Sequence, residues 1–558
     1  MTDKPKVIAY AAKAYPGKAP ILFALRFRDF QGRVRTTSIM RSDVLNLGKI
    51  KTVLVDAGMP TNLTDSDWQN IQDYLKNVAP ARTIEMVPKT GLYGNEFVLK
   101  HAVIRLEKFN KHELNESFLA YCAATGKSDS TLEEWQEIPA LALHSPVMML
   151  SLSAMFAGPL LKLVGIKGGG IHLYSKSSDG KSTIMLVCAS VIGPPAYVKS
   201  WKFTQAAVEE VCAGHNALTL LLDELKLLHK NKKIAAEMAT AAVYDITQGT
   251  PKARHSMSAR DNSPVIDCWD LMFLSAGEYS MAAHSNLGGQ DRLSGEEVRL
   301  IDQPSNMGKE LGVFKSLPEG ITSFPDFCKK LDKLSGKHYG IAFHTYIKHL
   351  LEDISDAAKK DELLIFIATR MDAFFHYAHV NRDVGVEKRR ADKYALIYAA
   401  ATLAIRYKIL PWKRNDALKA IAYSYKQAVM ARPMSAEQEA LVKVEEIIEA
   451  VRKEIAHYDS QEKLIDSLKS DSIKVIRNPI SGCYIRMARG ERIELLLTAG
   501  ALEDSDDLGD MVLEELDQRG FLLTRLNTKL KQVRIKSDGK DDIIYAHRLD
   551  VERMLHEE

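Results

Sequence analysis

The chain has 558 residues, of which 46% are hydrophobic and 26% are charged, and its formal net charge is +3. These values are typical of a globular protein with several domains, and they exclude a chain that is strongly basic over its whole surface. The six cysteines are scattered without a C-x-x-C pair, which excludes a cysteine-based zinc site and a disulfide framework and favours a reducing, cytoplasmic location.

The N-terminal region, residues 1–125, is expected to form a separate α+β domain. Apolar runs at residues 21–27, 34–39, 97–99 and 102–104 predict strands, and Thr64 predicts the N-cap of a helix that continues over 68–75. The most apolar run follows at residues 146–161. It is too short for a membrane span, so we expect a buried helix and no membrane partner.

A loop of small residues follows the apolar run at residues 171–174 and precedes an apolar, helix-like run at 184–189. Its residues are Ser175, Lys176, Ser177, Ser178, Asp179, Gly180, Lys181, Ser182 and Thr183. A strand, such a loop and a helix form the context of a phosphate-binding P-loop, in which backbone N–H groups surround an anion. We expect Lys181 to bind the β- and γ-phosphates of ATP and Ser182 to bind Mg²⁺. Ser175 replaces the glycine that usually opens this loop. The alternative for this motif alone is an ordinary loop.

A second motif ends the apolar run at residues 218–222, which predicts a buried parallel strand. Asp223 and Glu224 follow this run directly. A carboxylate at a strand tip near a P-loop holds Mg²⁺ through water, and the next carboxylate polarises the attacking water. The order of the two motifs therefore predicts a nucleotide site.

The remaining segments predict three further domains. Residues 126–323 alternate helices with strands near 171–174, 218–222 and 271–275, which indicates an α/β core with a parallel sheet. Residues 324–472 have helical periodicity, clearest at 350–375 and 393–409, and are expected to form a helical lid and linker helices. Residues 473–558 combine a helix at 507–519, Gly520 as its C-cap and β-like runs at 521–523 and 533–535. They predict a winged-helix-like module or, as the alternative, a generic α+β packing domain.

The motifs, taken in chain order, resemble the domain-of-unknown-function 927 family of helicase-like ATPases of phages and mobile elements. The resemblance spans roughly residues 80–415. It is carried by residues 154–161, 168–174, 177–183, Trp201, Thr204, His215, Asn216, 222–224, Gly249, 252–254, Trp269, 274–278, Gly289, Gln290, Arg299, Asp302 and Pro304.

This resemblance implies a P-loop ATPase core of AAA+ type, related to ring-forming replicative helicases. It implies ATP and Mg²⁺ as ligands, a homo-oligomeric ring, expected to be a hexamer, and DNA as the track. The expected fold is α/β. It consists of an AAA+ core, an N-terminal α+β domain, a helical lid and a C-terminal winged-helix-like module.

Further residues acquire candidate roles within that resemblance. Ser275 at the end of the third predicted strand is expected to act as sensor 1, which contacts the γ-phosphate or the attacking water; the alternative is a hydroxyl that caps the next turn. Arg299 is preferred over Arg254 as the arginine that completes a neighbouring subunit's site, since a guanidinium stabilises charge on the γ-phosphate. Both also fit structural ion pairs.

Arg390 opens a helix and is the candidate for sensor 2 on the lid, with a solvated basic helix start as the alternative. His215 and Asn216 precede the strand of Asp223, where they either orient water or serve as buried structural groups.

The acid-free stretch with Lys252, Arg254 and Arg260 lies where related ring helicases carry a pore-facing hairpin. Its basic groups are expected to bind DNA phosphates without reading the base sequence. The alternative is a solvated loop.

We therefore expect a cytoplasmic, Mg²⁺-dependent ATP hydrolase that forms a ring and acts as a DNA helicase or translocase. Two other classes stay open. One is an ATP-driven switch in a defence or regulatory system that does not move along DNA. The other is a binding module with a degenerate P-loop, which Ser175 alone suggests.

Overall fold

The computed structural model describes residues 8–13, 22–79, 83–100, 102–106, 112–114, 124–202, 204, 207–225, 228–251, 268–289, 292–308, 310–431, 436–458, 461–470, 473–475, 483–488, 492–498, 506–523, 531–537 and 540–556. The chain divides into two compact units, Met1–Arg432 and Pro433–Glu558.

The first unit is a mixed α/β structure. Its strands are β1 (Ile8–Lys13), β2 (Leu22–Arg28), β3 (Val34–Met40), β4 (Thr83–Val87), β5 (Gly91–Tyr93), β6 (Glu96–Leu99), β7 (Ala102–Arg105), β8 (His112–Leu114), β9 (Gly169–Tyr174), β10 (Lys199–Ser200), β11 (Thr219–Asp223), β12 (Met272–Gly277) and β13 (Leu300–Pro304).

The α-helices of this unit are α1 (Leu47–Asp56), α2 (Asp65–Asn77), α3 (Leu132–Ala142), α4 (Pro146–Ala154), α5 (Leu161–Val164), α6 (Lys181–Ile192), α7 (Val208–Gly214), α8 (Lys232–Gln248), α9 (Met281–Leu287), α10 (Ser294–Glu297), α11 (Phe324–Lys337), α12 (Ile341–Ile354), α13 (Ala357–Ala378), α14 (Gly385–Arg406) and α15 (Arg414–Met430).

The N-terminal part carries a five-stranded sheet of order β3-β2-β1-β4-β8 and a three-stranded antiparallel sheet of order β5-β6-β7. Helices α1 and α2 pack over the first sheet through a core that includes Leu25, Leu54 and Trp68. Thr64 begins α2 as predicted: its hydroxyl accepts from the N–H of Asp67, whose carboxylate accepts from the N–H of Thr64. The strands predicted at 21–27, 34–39, 97–99 and 102–104 correspond to β2, β3, β6 and β7.

A five-stranded parallel sheet of order β10-β11-β12-β9-β13 forms the centre of the unit. Helices cover both of its faces, which explains why its strands are continuous apolar runs. Leu221 belongs to the core that contains α4 and α6, while Leu220 and Leu222 face a second core with α7 and α8. The three strands predicted for this region are confirmed, and β12 continues to Gly277, two residues beyond its expected end.

The apolar run at 146–161 forms α4 and the 3₁₀ turn Gly158–Leu160, which are buried in the larger core. The Ser145 hydroxyl caps α4 by accepting from the N–H of Met148, and the Thr219 hydroxyl donates to the carbonyl of Ala154 at the other end. Across the described ranges, no single helix is long and apolar enough to cross a membrane. The segments Pro146–Ala154 and Gly158–Val164 reach that length only as a pair, bent by 47°.

Helices α11–α15 follow the parallel sheet, as the helical periodicity predicts. The run at 350–375 is not one helix, because Asp356 has an extended backbone and its carboxylate caps α13 by accepting from the N–H of Lys359. Helix α14 packs against α4, α13 and α15, and most of its residues from Arg390 to Ala404 are buried. These helices therefore share the core of the parallel sheet.

The second unit contains helices and an antiparallel sheet of order β14-β15-β16-β18-β17. Its elements are α16 (Ala436–Ala456), α17 (Gln461–Ser470), β14 (Ile473–Val475), β15 (Cys483–Met487), β16 (Ile493–Thr498), α18 (Asp506–Gln518), β17 (Lys531–Ser537), β18 (Lys540–Asp550) and α19 (Val551–Leu555).

Helices α16 and α17, grouped in the sequence with the preceding helices, pack in this second unit through a core that includes Val444, Leu464 and Leu495. Gly520, the second residue after α18, has φ +74°, as expected for the glycine that caps the end of a helix. A five-stranded sheet packed against helices favours the α+β packing alternative over the winged-helix-like module. The domain boundaries at 125, 323 and 472 stay predictions.

Candidate nucleotide-binding site

The loop between β9 and α6 has the backbone conformation of a phosphate cradle. Ser178 and Gly180 have φ values of +66° and +93°, and Gly180 directly precedes the first residue of α6. A Cβ on Gly180 would lie 3.0 Å from the Val313 side chain and 3.2 Å from that of Phe324, so the position requires glycine. The first N–H groups of α6 are thereby presented to an anion.

Ser175 replaces the usual glycine without strain, since it is not among the residues with positive φ. The Ser305 hydroxyl lies 3.0 Å from the Ser175 hydroxyl, which also accepts from the Lys181 ammonium at 3.3 Å. The departure from the motif therefore adds polar contacts and leaves the loop geometry intact.

Lys181 lies within the loop that it is expected to serve. Its ammonium donates to the carbonyl oxygens of Ser175 and Lys176 at 2.8 and 2.7 Å. Burial lowers the pKa of Lys181, and the carboxylates of Asp179, Glu278 and Asp223 act against that shift. The ammonium is thus held at the cavity by weak acceptors that an anionic ligand can replace.

Ser182 and Asp223 connect the two motifs. The Ser182 hydroxyl donates to Asp223 Oδ2 at 3.0 Å, and Asp223 Oδ1 accepts from the N–H of Glu224 at 2.8 Å. Glu224 has φ +60°, a conformation that costs energy for a residue other than glycine and often marks a functional site. The hydroxyl and carboxylate oxygens are the hard ligands that Mg²⁺ prefers, and a Mg²⁺ site completed by phosphates needs only one or two protein ligands.

The two motifs line one cavity of about 760 Å³. Its walls are residues 177–183, 223–225 and 276–278, together with Phe324, Pro325 and Cys328 of α11. Glu278 is a further wall residue, for which the sequence predicts no role, although it follows the end of β12 as Glu224 follows the end of β11. The sequence could have indicated Glu278, because neighbouring parallel strands end on the same side of a sheet and so bring the residues that follow them together.

Ser275 is not placed as a sensor. Its side chain is fully buried and absent from the cavity wall, and its hydroxyl oxygen accepts from Trp201 Nε1 at 3.0 Å. His172 Nε2 donates to the carbonyl of Tyr279 at 2.9 Å, so its Nδ1 accepts from the Ser275 hydroxyl at 2.8 Å. Burial lowers the pKa of His172, which keeps the imidazole neutral. The hydroxyl therefore satisfies two buried rings, which corrects the expected γ-phosphate contact.

Arg299 lies at the N-terminal ends of the parallel strands, whereas the P-loop lies at their C-terminal ends. Its carbonyl accepts from the N–H of Gly170 near the start of β9, about 16 Å of strand away from Ser175. The guanidinium donates to the carbonyl of Gly295 at 2.7 Å and lies over the Tyr244 ring at 4.5 Å. Arg299 therefore does not reach the cavity of its own chain.

Arg390 lies at this same end of the sheet. Its guanidinium forms a buried ion pair at 3.2 Å with Glu297, the last residue of α10. Among the described residues, the helical wall of the nucleotide cavity comes from α6 and α11 and includes no residue of α14. The expected sensor 2 role of Arg390 in its own chain is thus corrected to a structural ion pair.

His215 and Asn216 have structural positions. Burial lowers the pKa of His215 to about 4, and its Nδ1 donates to the carbonyl of Val211 at 2.7 Å. Asn216 donates to the carbonyl of Thr90 at 2.6 Å and accepts from the N–H of Asp270 at 2.9 Å. Lys252, Arg254 and Arg260 lie outside the described residues.

Comparison with known proteins agrees with this geometry. Residues 15–262 match the family model named domain of unknown function 927. The resemblance predicted from the motifs is confirmed. The match covers less than half of the chain and differs in extent from the predicted 80–415, because it includes much of the N-terminal α+β region and ends before β12.

A solved structure titled SCCmec type IV Cch, an active helicase, has a similar fold. The TM-score is 0.55 at 15% sequence identity, and the superposition covers 98% of this chain and 93% of that chain. No curated protein matches the sequence.

The buried position of Ser275 leads to a prediction about stability and turnover. We expect Ser275→Ala to lower the free energy of unfolding by about 1–3 kcal/mol, because Trp201 Nε1–H and His172 Nδ1 lose their partner. If the cavity hydrolyses ATP, turnover of the folded protein should stay within about twofold, as no cavity group is removed. Denaturant unfolding and a steady-state ATPase assay measure the two quantities.

Ser151→Ala is the matched control, because its buried hydroxyl donates only to the carbonyl of Val147 within α4. We expect a smaller stability loss there. A drop in turnover of about 100-fold in Ser275→Ala at unchanged stability would restore the sensor role.

Proposed function

We propose that this protein is a Mg²⁺-dependent ATP hydrolase of AAA+ type, a helicase or translocase that acts on DNA as a ring of identical subunits. The observation that carries the proposal is the 3.0 Å hydrogen bond between Ser182 and Asp223, which joins the P-loop to the acidic strand. Those two residues belong to motifs that are separated by about forty positions and meet only in this fold.

The strand order supports a triphosphate between the motifs. Strand β12 lies between β9 and β11, so the P-loop strand and the acidic strand are about 10 Å apart. All the strands of this sheet end at the same edge, which leaves space above β12 for phosphates and a water molecule. Glu224 and Glu278 border that space on the cavity wall.

The residues divide the work of hydrolysis by position. The loop 175–180 and the N-terminus of α6 bind the phosphates, and Lys181 exchanges its carbonyl partners for phosphate oxygens. Ser182 and Asp223 are the residues that would hold Mg²⁺, which offsets phosphate charge when bound. Glu224 orients the attacking water and accepts its proton as ADP leaves.

The fold also supports the proposed action on DNA. The similar solved structure is titled an active helicase, and the family model matches the region that contains the P-loop. The basic positions Lys252, Arg254 and Arg260 remain the proposed contacts with DNA phosphates. A hexamer and an origin in a phage or mobile element are parts of the same proposal.

The nucleotide site is tested by two substitutions. We expect Lys181→Ala to abolish tight ATP binding, because the positive charge at the phosphates is lost. We expect Glu224→Gln to bind ATP but to lose turnover by about 10²–10⁴-fold, because the shape remains and the base does not. Calorimetric titration with ATP and a phosphate-release assay measure the two effects, with the exposed Glu237→Gln as control. Near-normal turnover in Glu224→Gln would exclude its role as the base.

The action on DNA is tested by turnover with and without single-stranded DNA. We expect stimulation by DNA, with binding that weakens as salt rises, because basic groups displace counterions from phosphates. Replacing both Lys252 and Arg260 by alanine should flatten the salt slope by about 1.4–1.8 and leave basal turnover unchanged. Turnover without any response to DNA would favour the ATP-driven switch.

The position of Arg299 makes its role testable in mixed rings. We expect Arg299→Ala to bind ATP but to lose hydrolysis by about 10³-fold or more if the guanidinium completes a neighbour's site. Mixing it with Lys181→Ala protein in equal amounts should restore activity, up to about a quarter of the wild-type rate. The reason is that one interface in four then pairs an intact P-loop with an intact arginine.

A mixture of Glu224→Gln with Lys181→Ala protein is the control, because both changes damage the same half-site and no interface is repaired. If mass measurement shows mixed rings but the mixture with Arg299→Ala recovers no activity, Arg299 does not act on a neighbour's site. Its role is then the structural one of its contacts with Gly295 and Tyr244.

A further inference from the structure

A second large cavity lies at the N-terminal ends of the parallel strands, at the opposite end of the sheet from the P-loop. This basal cavity has a volume of about 1020 Å³, larger than the nucleotide cavity. It is bounded by residues 163–168 at and after the end of α5, the end of α8, the residues before β13, and facing sides of α13 and α14. The proposed hydrolysis uses none of these groups except Arg299.

The polar wall of the basal cavity is mainly positive. Its cations are Lys167, Arg299, Arg382, Lys388, Arg389 and Lys393, and its acids are Asp372 and Asp392. Arg382 is paired with Asp372 at 3.1 Å, so one acid is already neutralised. The remaining wall has a clear excess of positive charge, which attracts an anion.

Lys393 is the decisive group because its charge is buried without a matching carboxylate. Its side chain is only 7% exposed, and its stem packs against β9: a Cβ on Gly169 would lie 2.0 Å from Lys393 Cε. The ammonium donates to the carbonyl of Arg389 at 3.4 Å, and within the described residues no carboxylate forms an ion pair with it. Burial lowers the pKa of Lys393 to about 8; Asp392 opposes this shift, and Arg299 adds to it.

A buried ammonium in this setting is costly unless an anion compensates it. The opposite wall is apolar and includes Ile166, Met371 and Phe375. An apolar wall beside a cluster of lysine and arginine suits a molecule with a flat organic part and phosphate groups. The volume is that of a nucleotide-sized ligand rather than a bare inorganic ion.

We propose that the basal cavity is a second phosphate-binding site, which takes a nucleotide-sized phosphate ester on Lys393 and the arginines around it. Two sources supply this chemistry. One is a free nucleotide in solution, and the other is the nucleotide held by the P-loop of a second copy of the chain. Only the second source depends on the proposed function.

The test removes the P-loop site first. ATP and inorganic tripolyphosphate are titrated by calorimetry into Lys181→Ala protein, at a concentration where mass measurement shows single chains. We expect one remaining site per chain, weakened at least tenfold when Lys393→Met is added. Methionine keeps the length of the buried stem and removes an uncompensated charge, so the variant should melt at the same temperature or higher. Lys360→Met, an exposed lysine of α13 outside the cavity, should leave binding unchanged.

The outcomes separate the two sources. Binding to single chains that requires Lys393 identifies a free ligand, and it stands even if the P-loop proves inactive. The neighbour's nucleotide is identified by two results together. Single chains show no binding, and assembled protein that carries Lys393→Met alone binds ATP at least tenfold more weakly. If Lys393→Met changes neither measurement while the protein stays folded, the basal cavity is not a phosphate site.

Discussion

The candidate nucleotide site depends on one contact between its two motifs, the 3.0 Å hydrogen bond from Ser182 to Asp223. Ser182 lies after β9 and Asp223 ends β11, and these strands are not neighbours, so the contact requires the register of three parallel strands to be correct. Leu222 lies beside Ser275 of β12, and Ser275 lies beside His172 of β9. A shift of one residue in either pair would turn the intervening side chains to the other face and move Asp223 away from the P-loop.

The polar row through the centre of the sheet helps to hold that register. Trp201, Ser275 and His172 form a chain of hydrogen bonds that ends on the carbonyl of Tyr279. The side chains of Trp201, Ser275 and His172 are fully buried, so a displaced strand would leave a donor or an acceptor without a partner. The apolar strands alone specify burial, whereas this row specifies which residues lie side by side. This specificity requires polar groups to be buried at the centre of a sheet whose strands are otherwise mainly apolar.

The sequence predicted the parts of the site that are local in the chain. Residues 175–183 form one continuous loop whose proposed role rests on consecutive backbone groups, and Asp223 and Glu224 follow directly from the end of an apolar run. The errors concern which way a side chain points and which end of a sheet it occupies. The sequence places Ser275 at the end of its strand, whereas β12 continues to Gly277 and the Ser275 side chain is buried. The place of Arg390 at a helix start predicts a role on the lid, whereas the packing of α14 puts its guanidinium beside Glu297.

The first turns of helix α11 form part of the wall of the candidate nucleotide cavity. The Phe324 side chain lies close to Gly180 of the loop, and its ring contacts Phe314, whose ring also packs at a tilt against Phe327 one turn further along. The helix is about 21 Å long, so a tilt of 10° at Phe324 displaces its other end by about 4 Å. Any change of angle at the first turn of α11 is therefore enlarged along the length of that helix.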